Sequence, residues 1–82
     1  PDGAAILDSY GWLRYRRGDA AAARGYLERA YRYDDDAEIA AHLGEVLWVK
    51  GERERAKEIW AAQLKDAPDH PVLLETMRRL SR

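Results

Sequence analysis

The sequence predicts an all-α fold in which two helix hairpins stack on each other and a fifth helix closes the array. Residues recur at a spacing of 33, turn-forming residues divide the chain into five segments, and each segment places apolar residues at helical intervals. The recurrence aligns residues of the same kind, namely Ala4 with Ala37, Ile6 with Ile39, Gly11 with Gly44, Leu13 with Val46, Tyr15 with Trp48, Gly18 with Gly51, Asp19 with Glu52, Ala23 with Ala56 and Arg24 with Lys57.

The first two segments form the first predicted hairpin. Apolar residues over about 4–17 share one stripe, and basic residues precede Gly18, where they suit the negative end of a helix dipole. Gly18 can adopt the left-handed conformation that ends a helix, and Asp19 can cap the next helix, over about 20–33. Within that helix Arg24, Glu28 and Arg32 are expected to form an exposed ladder.

The next three segments repeat the hairpin and then close it. A third helix over about 37–50 follows the capping residue Asp36, and a fourth over about 53–66 is stopped by Pro68. Pro71 occupies the favoured first position of a fifth helix, over 71–82, which is expected to cap the array. Residues 1–3 are interpreted as a linker or disordered start, in a sequence that looks excised from a longer one.

Composition narrows the function classes. The chain has 82 residues, 46% of them hydrophobic and 35% charged, which is typical of a small helical domain. A net charge of −1 argues against nucleic-acid binding, because phosphate contacts need a basic surface. No stretch approaches the roughly 20 apolar residues of a membrane span, so direct membrane insertion of this segment is not expected.

These residues resemble the tetratricopeptide repeat (TPR) family, whose unit is a helix-turn-helix. The family's small and large positions are matched by Gly11, Gly18, Ala23, Leu27 and Ala30 in the first unit, and by Leu43, Gly44, Gly51, Ala56, Trp60 and Pro68 in the second. The departures are Leu7, Tyr10, Asp35, Ala40 and Gln63. The resemblance implies a right-handed α-solenoid with repeats at 4–36 and 37–70 and a capping helix at 71–82. It also implies a non-catalytic scaffold or adaptor that binds a protein or peptide.

More narrowly, the chain is similar to the C-terminal repeats of bacterial envelope proteins of this family. The matching stretches are residues 7–12 and 38–44. This similarity implies the periplasm or the outer membrane as the location, with the cytoplasm as the alternative. A chaperone-tail clamp is not expected, because the positions that carry its cations hold Asp8, Trp12, His42, Val72 and Thr76.

The predicted binding surface is the concave face formed by the first helix of each hairpin. Side chains at i, i+4 and i+7, off the packing stripe, line such a face. An aromatic strip there suits the apolar anchors of a bound helix or extended peptide. The alternative is that the aromatic residues only fill space between helices, as Trp60 is expected to do. The predicted partner-binding residues are Asp8, Trp12, Tyr15, Arg16, Ala41, Glu45, Trp48 and Val49.

Catalysis, metals and cofactors are not expected. His42 and His70 are the histidines of the chain, and neither has a nucleophile or a spaced carboxylate beside it in sequence. The acidic run 34–36 lacks the alternate oxygen ligands of an EF-hand, and Gly18 and Gly51 are isolated turn glycines rather than parts of a phosphate loop.

A purely structural role is the alternative function. Ile6, Tyr10 and Leu13 are expected to face water on the uncovered N-terminal side of the array. Earlier repeats of a longer protein would cover them, or a second copy would do so in a homodimer. In the structural role the module caps a longer solenoid or dimerises, and it has no ligand of its own.

Overall fold

The computed structural model describes residues 3–82, which form five α-helices and no strand. An inner layer contains α1, α3 and α5, and an outer layer contains α2 and α4, which pack on α1 and α3 respectively. The bounds are α1 Gly3–Arg16, α2 Ala20–Tyr33, α3 Ala37–Val49, α4 Arg53–Asp66 and α5 Pro71–Leu80. The predicted all-α solenoid is confirmed. Helix α1 begins earlier than predicted, at Gly3, and the rest of the predicted N-terminal linker lies outside the described residues.

Both hairpin turns are built on glycine in the left-handed region. Gly18 has a φ of +93° and Gly51 a φ of +92°, a conformation in which a side chain is strained. After the first turn, the carboxylate of Asp19 accepts a hydrogen bond from the amide of Ala22 at 3.1 Å. Asp36 caps α3 in the same way and accepts from two amides of its first turn. The turn chemistry predicted from the sequence is therefore present.

Helix α3 is the centre of the fold, because α2, α4 and α5 all pack against it. Its side chains Leu43, Val46 and Leu47 have no solvent exposure. Removing each of these large apolar side chains from water stabilises the fold by about 1.5–3 kcal/mol. The exposed outer face of α1, in contrast, leaves Ile6 at 66% exposure.

Glycine in each inner helix of the two hairpins admits a large side chain from the outer helix behind it. A Cβ at Gly11 would lie 2.9 Å from Leu27, and a Cβ at Gly44 would lie 2.1 Å from Nε1 of Trp60. Trp60 is fully buried, so the prediction that it fills interhelical space is confirmed. Its Nε1 lacks a hydrogen-bond partner within residues 3–82, because it faces the backbone of α3 at Gly44.

The two outer helices are joined by ion pairs. Arg24 of α2 pairs with Glu52 at the start of α4 (Nη2 to Oε1, 3.0 Å), and Arg55 of α4 donates to Glu28 of α2 (Nη2 to Oε1, 2.7 Å). The sequence predicts Arg24 and Glu28 only as members of an exposed ladder along α2. That ladder contact exists, at 3.6 Å, but the same side chains also bridge to α4. The ladder prediction is incomplete because sequence spacing does not show the facing helix.

We expect Gly44→Ala to destabilise the chain by about 1–3 kcal/mol, because the added methyl group overlaps a rigid, enclosed indole ring. Gly25 is the matched control. It lies inside α2, and nothing lies within 4 Å of the position that a Cβ would take there, so Gly25→Ala should stabilise the chain by about 0.5–1 kcal/mol through helix propensity alone. Urea denaturation of both variants measures this difference. Equal effects at the two glycines would contradict the packing argument.

Acid should weaken the contact between the outer helices. The hydrogen bond from Arg55 holds the pKa of Glu28 below its ordinary value of 4.5. The charged Glu28 side chain therefore stabilises the folded chain fully above pH 4.5. This stabilisation is lost as the pH falls through the lower pKa that Glu28 has in the folded state. Because both side chains are partly exposed, we expect Glu28→Gln to cost about 0.5–1 kcal/mol at neutral pH and nothing once Glu28 is protonated.

Unfolding free energies measured by urea titration at several pH values test this expectation. Glu54→Gln is the control, because the Glu54 side chain is 89% exposed and its ion pair with Lys57 is long, at 3.7 Å. The control should follow the wild-type pH curve. A penalty for Glu28→Gln that stays constant into strong acid would show that the carboxylate charge is not responsible.

Candidate partner-binding face

The residues predicted to bind a partner belong to α1 and α3, the first two helices of the inner layer. The structure brings some of them into direct contact and separates others. Asp8, Trp12 and Tyr15 lie on the side of α1 that meets α3. Trp48 and Val49 lie at the far end of α3, near the start of α4. The candidate face therefore has two parts.

The first part is an aromatic platform on which Trp12 lies flat against His42. Their ring centroids are 4.0 Å apart and their planes are inclined by 17°. Nδ1 of His42 lies 2.8 Å from Oδ1 of Asp8, so the imidazole is held by a carboxylate of the same helix that carries Trp12. The side chains of His42 and Asp8 are 14% and 15% exposed, which shields this contact from water. One face of the Trp12 indole therefore packs on the His42 ring, and the contact with Asp8 fixes the orientation of that ring.

Near this platform, Glu45 of α3 forms polar contacts with both other inner helices, α1 and α5. Its carboxylate accepts from the hydroxyl of Tyr15 on α1 at 3.0 Å and from Arg79 on α5 at 2.7 Å. Glu45 is 7% exposed, so the charge is buried and must be paired. Burial and the bond to Glu45 raise the pKa of Tyr15 to about 12. The hydroxyl therefore stays protonated near neutral pH and remains a donor.

The far end of α3 has a different composition. Trp48 stacks on buried Trp60 at 5.6 Å, and the guanidinium of Arg53 lies 4.8 Å from the centroid of the Trp48 ring. The ammonium of Lys57 is 5.9 Å from the same centroid. Val49 next to it is 55% exposed. Cationic groups over an indole face give this end both apolar surface and hydrogen-bond donors.

The remaining predicted residues occupy different environments. Ala41 is fully buried in the core, so it cannot touch a partner as predicted, whereas Arg16 is exposed at the end of α1. Sequence spacing places Ala41 on α3 but does not show that neighbouring helices cover it. Trp12, Arg16 and Val49 are therefore more accessible to solvent than Ala41 and Glu45, which are buried.

Sequence reasoning does not place His42 or Arg79 in this face. It considers His42 only as a clamp or catalytic position, and it assigns no contact to Arg79. Each contacts a residue 34 positions earlier in the chain, since His42 meets Asp8 and Arg79 meets Glu45. Complementary polar residues at about the repeat spacing are the signal that could identify such contacts.

Within residues 3–82, no three His, Asp or Glu side chains lie close enough together to hold a metal ion. None of the helices in that range combines the length and apolar character needed to cross a bilayer. The polar groups of the inner layer are instead engaged with one another across helix boundaries.

Comparison with known proteins identifies the family of this architecture. A family model described as tetratricopeptide repeat matches residues 14–80. A TPR repeat-containing protein of Pseudomonas aeruginosa is 56% identical over 45 residues, a match that covers 55% of this chain and only 8% of that protein. TPR proteins are generally non-catalytic interaction modules. Because the family model spans most of its length, the chain belongs to the tetratricopeptide repeat family.

Proposed function

We propose that this chain is a protein-binding scaffold module whose inner face takes an apolar or aromatic side chain of a helix or extended peptide against Trp12. The observation that carries the proposal is the stacking of Trp12 on His42. The hydrogen bond between His42 and Asp8 fixes the orientation of the imidazole. A half-buried indole on a fixed support offers a large contact area with little freedom left to lose on binding.

The polar contacts around Trp12 support the same proposal. Tyr15 lies beside Trp12, with ring centroids 5.0 Å apart, and is itself tied to Glu45, which is tied to α5. The inner helices are therefore held in a fixed spacing before any partner arrives. Preorganisation of this kind raises affinity by lowering the ordering cost of binding.

Side chains at the C-terminal ends of α1 and α3 offer the partner further contacts besides the one at Trp12. Exposed Val49 and the cation-covered ring of Trp48 lie at the C-terminal end of α3, and Arg16 is exposed at the end of α1. These groups suit an apolar side chain followed by a carboxylate on the bound segment. The 56% identity to part of a bacterial TPR protein supports a bacterial setting for such a scaffold.

Photo-crosslinking tests which face contacts the partner. A benzophenone amino acid at Val49 in the protein expressed in its native cell should capture a defined partner. The same group at Tyr33, which is 72% exposed on the outer helix α2, should not capture it. The captured protein then serves as the ligand for binding measurements. Equal capture at the two positions would contradict a preferred inner face.

Substitution of the anchor should then weaken binding without unfolding the chain. We expect Trp12→Ala to raise the Kd for that partner about tenfold or more, as for an interface hot spot. Tyr33→Ala removes an exposed aromatic ring from the outer layer and should change the Kd by less than about twofold, as for a residue outside the interface. Circular dichroism should show that both variants keep their helicity.

Unchanged affinity in two variants of the inner face would contradict the proposal. If Trp12→Ala and Trp48→Ala both bind the partner with wild-type affinity, the inner face has no ligand. A purely structural role in a longer solenoid would then be the function. If Trp12→Ala instead unfolds the chain, Trp12→Phe keeps a ring on His42 and serves as the folded variant, with an intermediate Kd expected.

A further inference from the structure

Charged residues are segregated between the two ends of the helix array. Helices α1 and α3 run in the same direction, since Asp8 contacts His42 and, further along both helices, Tyr15 contacts Glu45. The hairpin turns therefore lie at one end of the array, and the loops that join α2 to α3 and α4 to α5 lie at the other. We call these the turn end, residues 14–19 and 50–57, and the loop end, residues 34–38 and 65–70.

The turn end is basic and the loop end is acidic. The turn end contains seven basic and three acidic residues, whereas the loop end contains six acidic residues and one basic residue. The formal charge of −1 for the whole chain conceals this separation. A segment lying along the inner face would therefore have groups of opposite charge at its two ends.

Helix dipoles explain only part of this separation. They favour cations at the C-terminal ends of helices, which suits Arg16 at the end of α1. Helix α4 runs in the opposite direction to α3, and it begins with Arg53 and ends with Asp66. Each of these two charges lies at the helix end where the dipole disfavours it. The charges at the ends of α4 therefore follow the end of the molecule and not the end of the helix.

Cations of the turn end are available to a ligand. In the part of the chain that the structure describes, Lys50 and Arg53 are exposed and form no ion pair. Arg53 and Lys57 both lie over the ring of Trp48, and the pair of Lys57 with the exposed Glu54 is long, at 3.7 Å. Like charges four residues apart destabilise a helix, and a carboxylate placed between them would relieve their repulsion.

These cations lie at a defined distance from the anchor at Trp12. Trp12 stacks on His42, and Val49 follows His42 by seven residues on the same face of α3, which is two turns or about 10 Å. A polyproline II segment covers about 9 Å in three residues and then presents the same face again. A side chain three residues from the anchor would therefore lie beside Val49, next to Trp48 and its two cations.

We propose that the segment bound at Trp12 carries an aspartate or glutamate three residues from its apolar anchor, and that Arg53 and Lys57 bind its carboxylate. This inference rests on the proposed function and adds the chemistry and the direction of the bound segment. Charge-assisted hydrogen bonds hold the carboxylate at the turn end. The acidic loop end repels the same group, so the reverse direction is disfavoured.

Selection from random dodecapeptides displayed on phage tests the inference without a known partner. The immobilised 82-residue chain is the bait. We expect the enriched sequences to share an aromatic or large apolar residue with an aspartate or glutamate three positions away. An enriched anchor without any preference for an acidic residue would overturn the inference and leave the proposed function intact. Failure to enrich any sequence would contradict both.

Charge reversal at the two cations provides the matched comparison. With Arg53→Glu and Lys57→Glu combined, the selection should yield the same anchor with a basic residue in place of the acidic one. Arg29→Glu and Arg32→Glu together reverse two exposed cations of the outer helix α2, so this control should keep the acidic preference. Circular dichroism checks that both double variants keep their helices. An acidic preference that survives reversal at Arg53 and Lys57 would overturn the inference.

A synthetic peptide from the selection then measures the contact. Replacing its acidic residue with the matching amide should raise the Kd for the 82-residue chain about fivefold. For the neutral variant Arg53→Gln with Lys57→Gln, the same replacement should change the Kd by less than about twofold. The neutral variant also serves if charge reversal unfolds the chain. Equal effects on the two chains would place the carboxylate elsewhere, whereas a Kd that Trp12→Ala leaves unchanged would contradict the proposed function itself.

Discussion

The fold depends on the close approach of Trp60 to the bare backbone of α3 at Gly44. No side chain at position 44 could coexist with the indole in its observed place, since a Cβ there would lie 2.1 Å from Nε1. This contact sets how near α4 lies to α3, and Leu27 against Gly11 repeats it in a looser form between α2 and α1. The Trp60 Nε1, which has no hydrogen-bond partner within residues 3–82, is a cost that the burial of a large ring offsets.

The inner layer has polar contacts of its own, in addition to the ion pairs that join the outer helices. Helices α2 and α4 cover α3 from the outer layer, and the contacts of α3 with α1 and α5 include the polar groups of His42 and Glu45. Glu45 is buried and receives donors from both neighbouring helices. The closing helix α5 is thus fixed by a charge contact as well as by the burial of Leu73.

The architecture can be predicted from the sequence because its determinants are local or periodic. Gly18 and Gly51 at equivalent positions identify the turns, and Asp36 identifies a helix start, since a cap acts on amides within three residues. Side-chain partners across helices cannot be predicted in the same way. Spacing along one helix shows which face a residue occupies, but not which residue of the next helix lies opposite it. The candidate site is therefore predicted only in outline, with Trp12 on the correct helix but without its support from His42.

The pairing of charges within the inner layer has a kinetic consequence. The carboxylate of Glu45 is neutralised by the guanidinium of Arg79, so this buried pair projects little net field into solvent. The chain as a whole carries a formal charge of −1. In the proposed complex, long-range attraction would therefore add little to the encounter rate at this part of the face, and the lifetime set by contacts at the indole would govern the affinity.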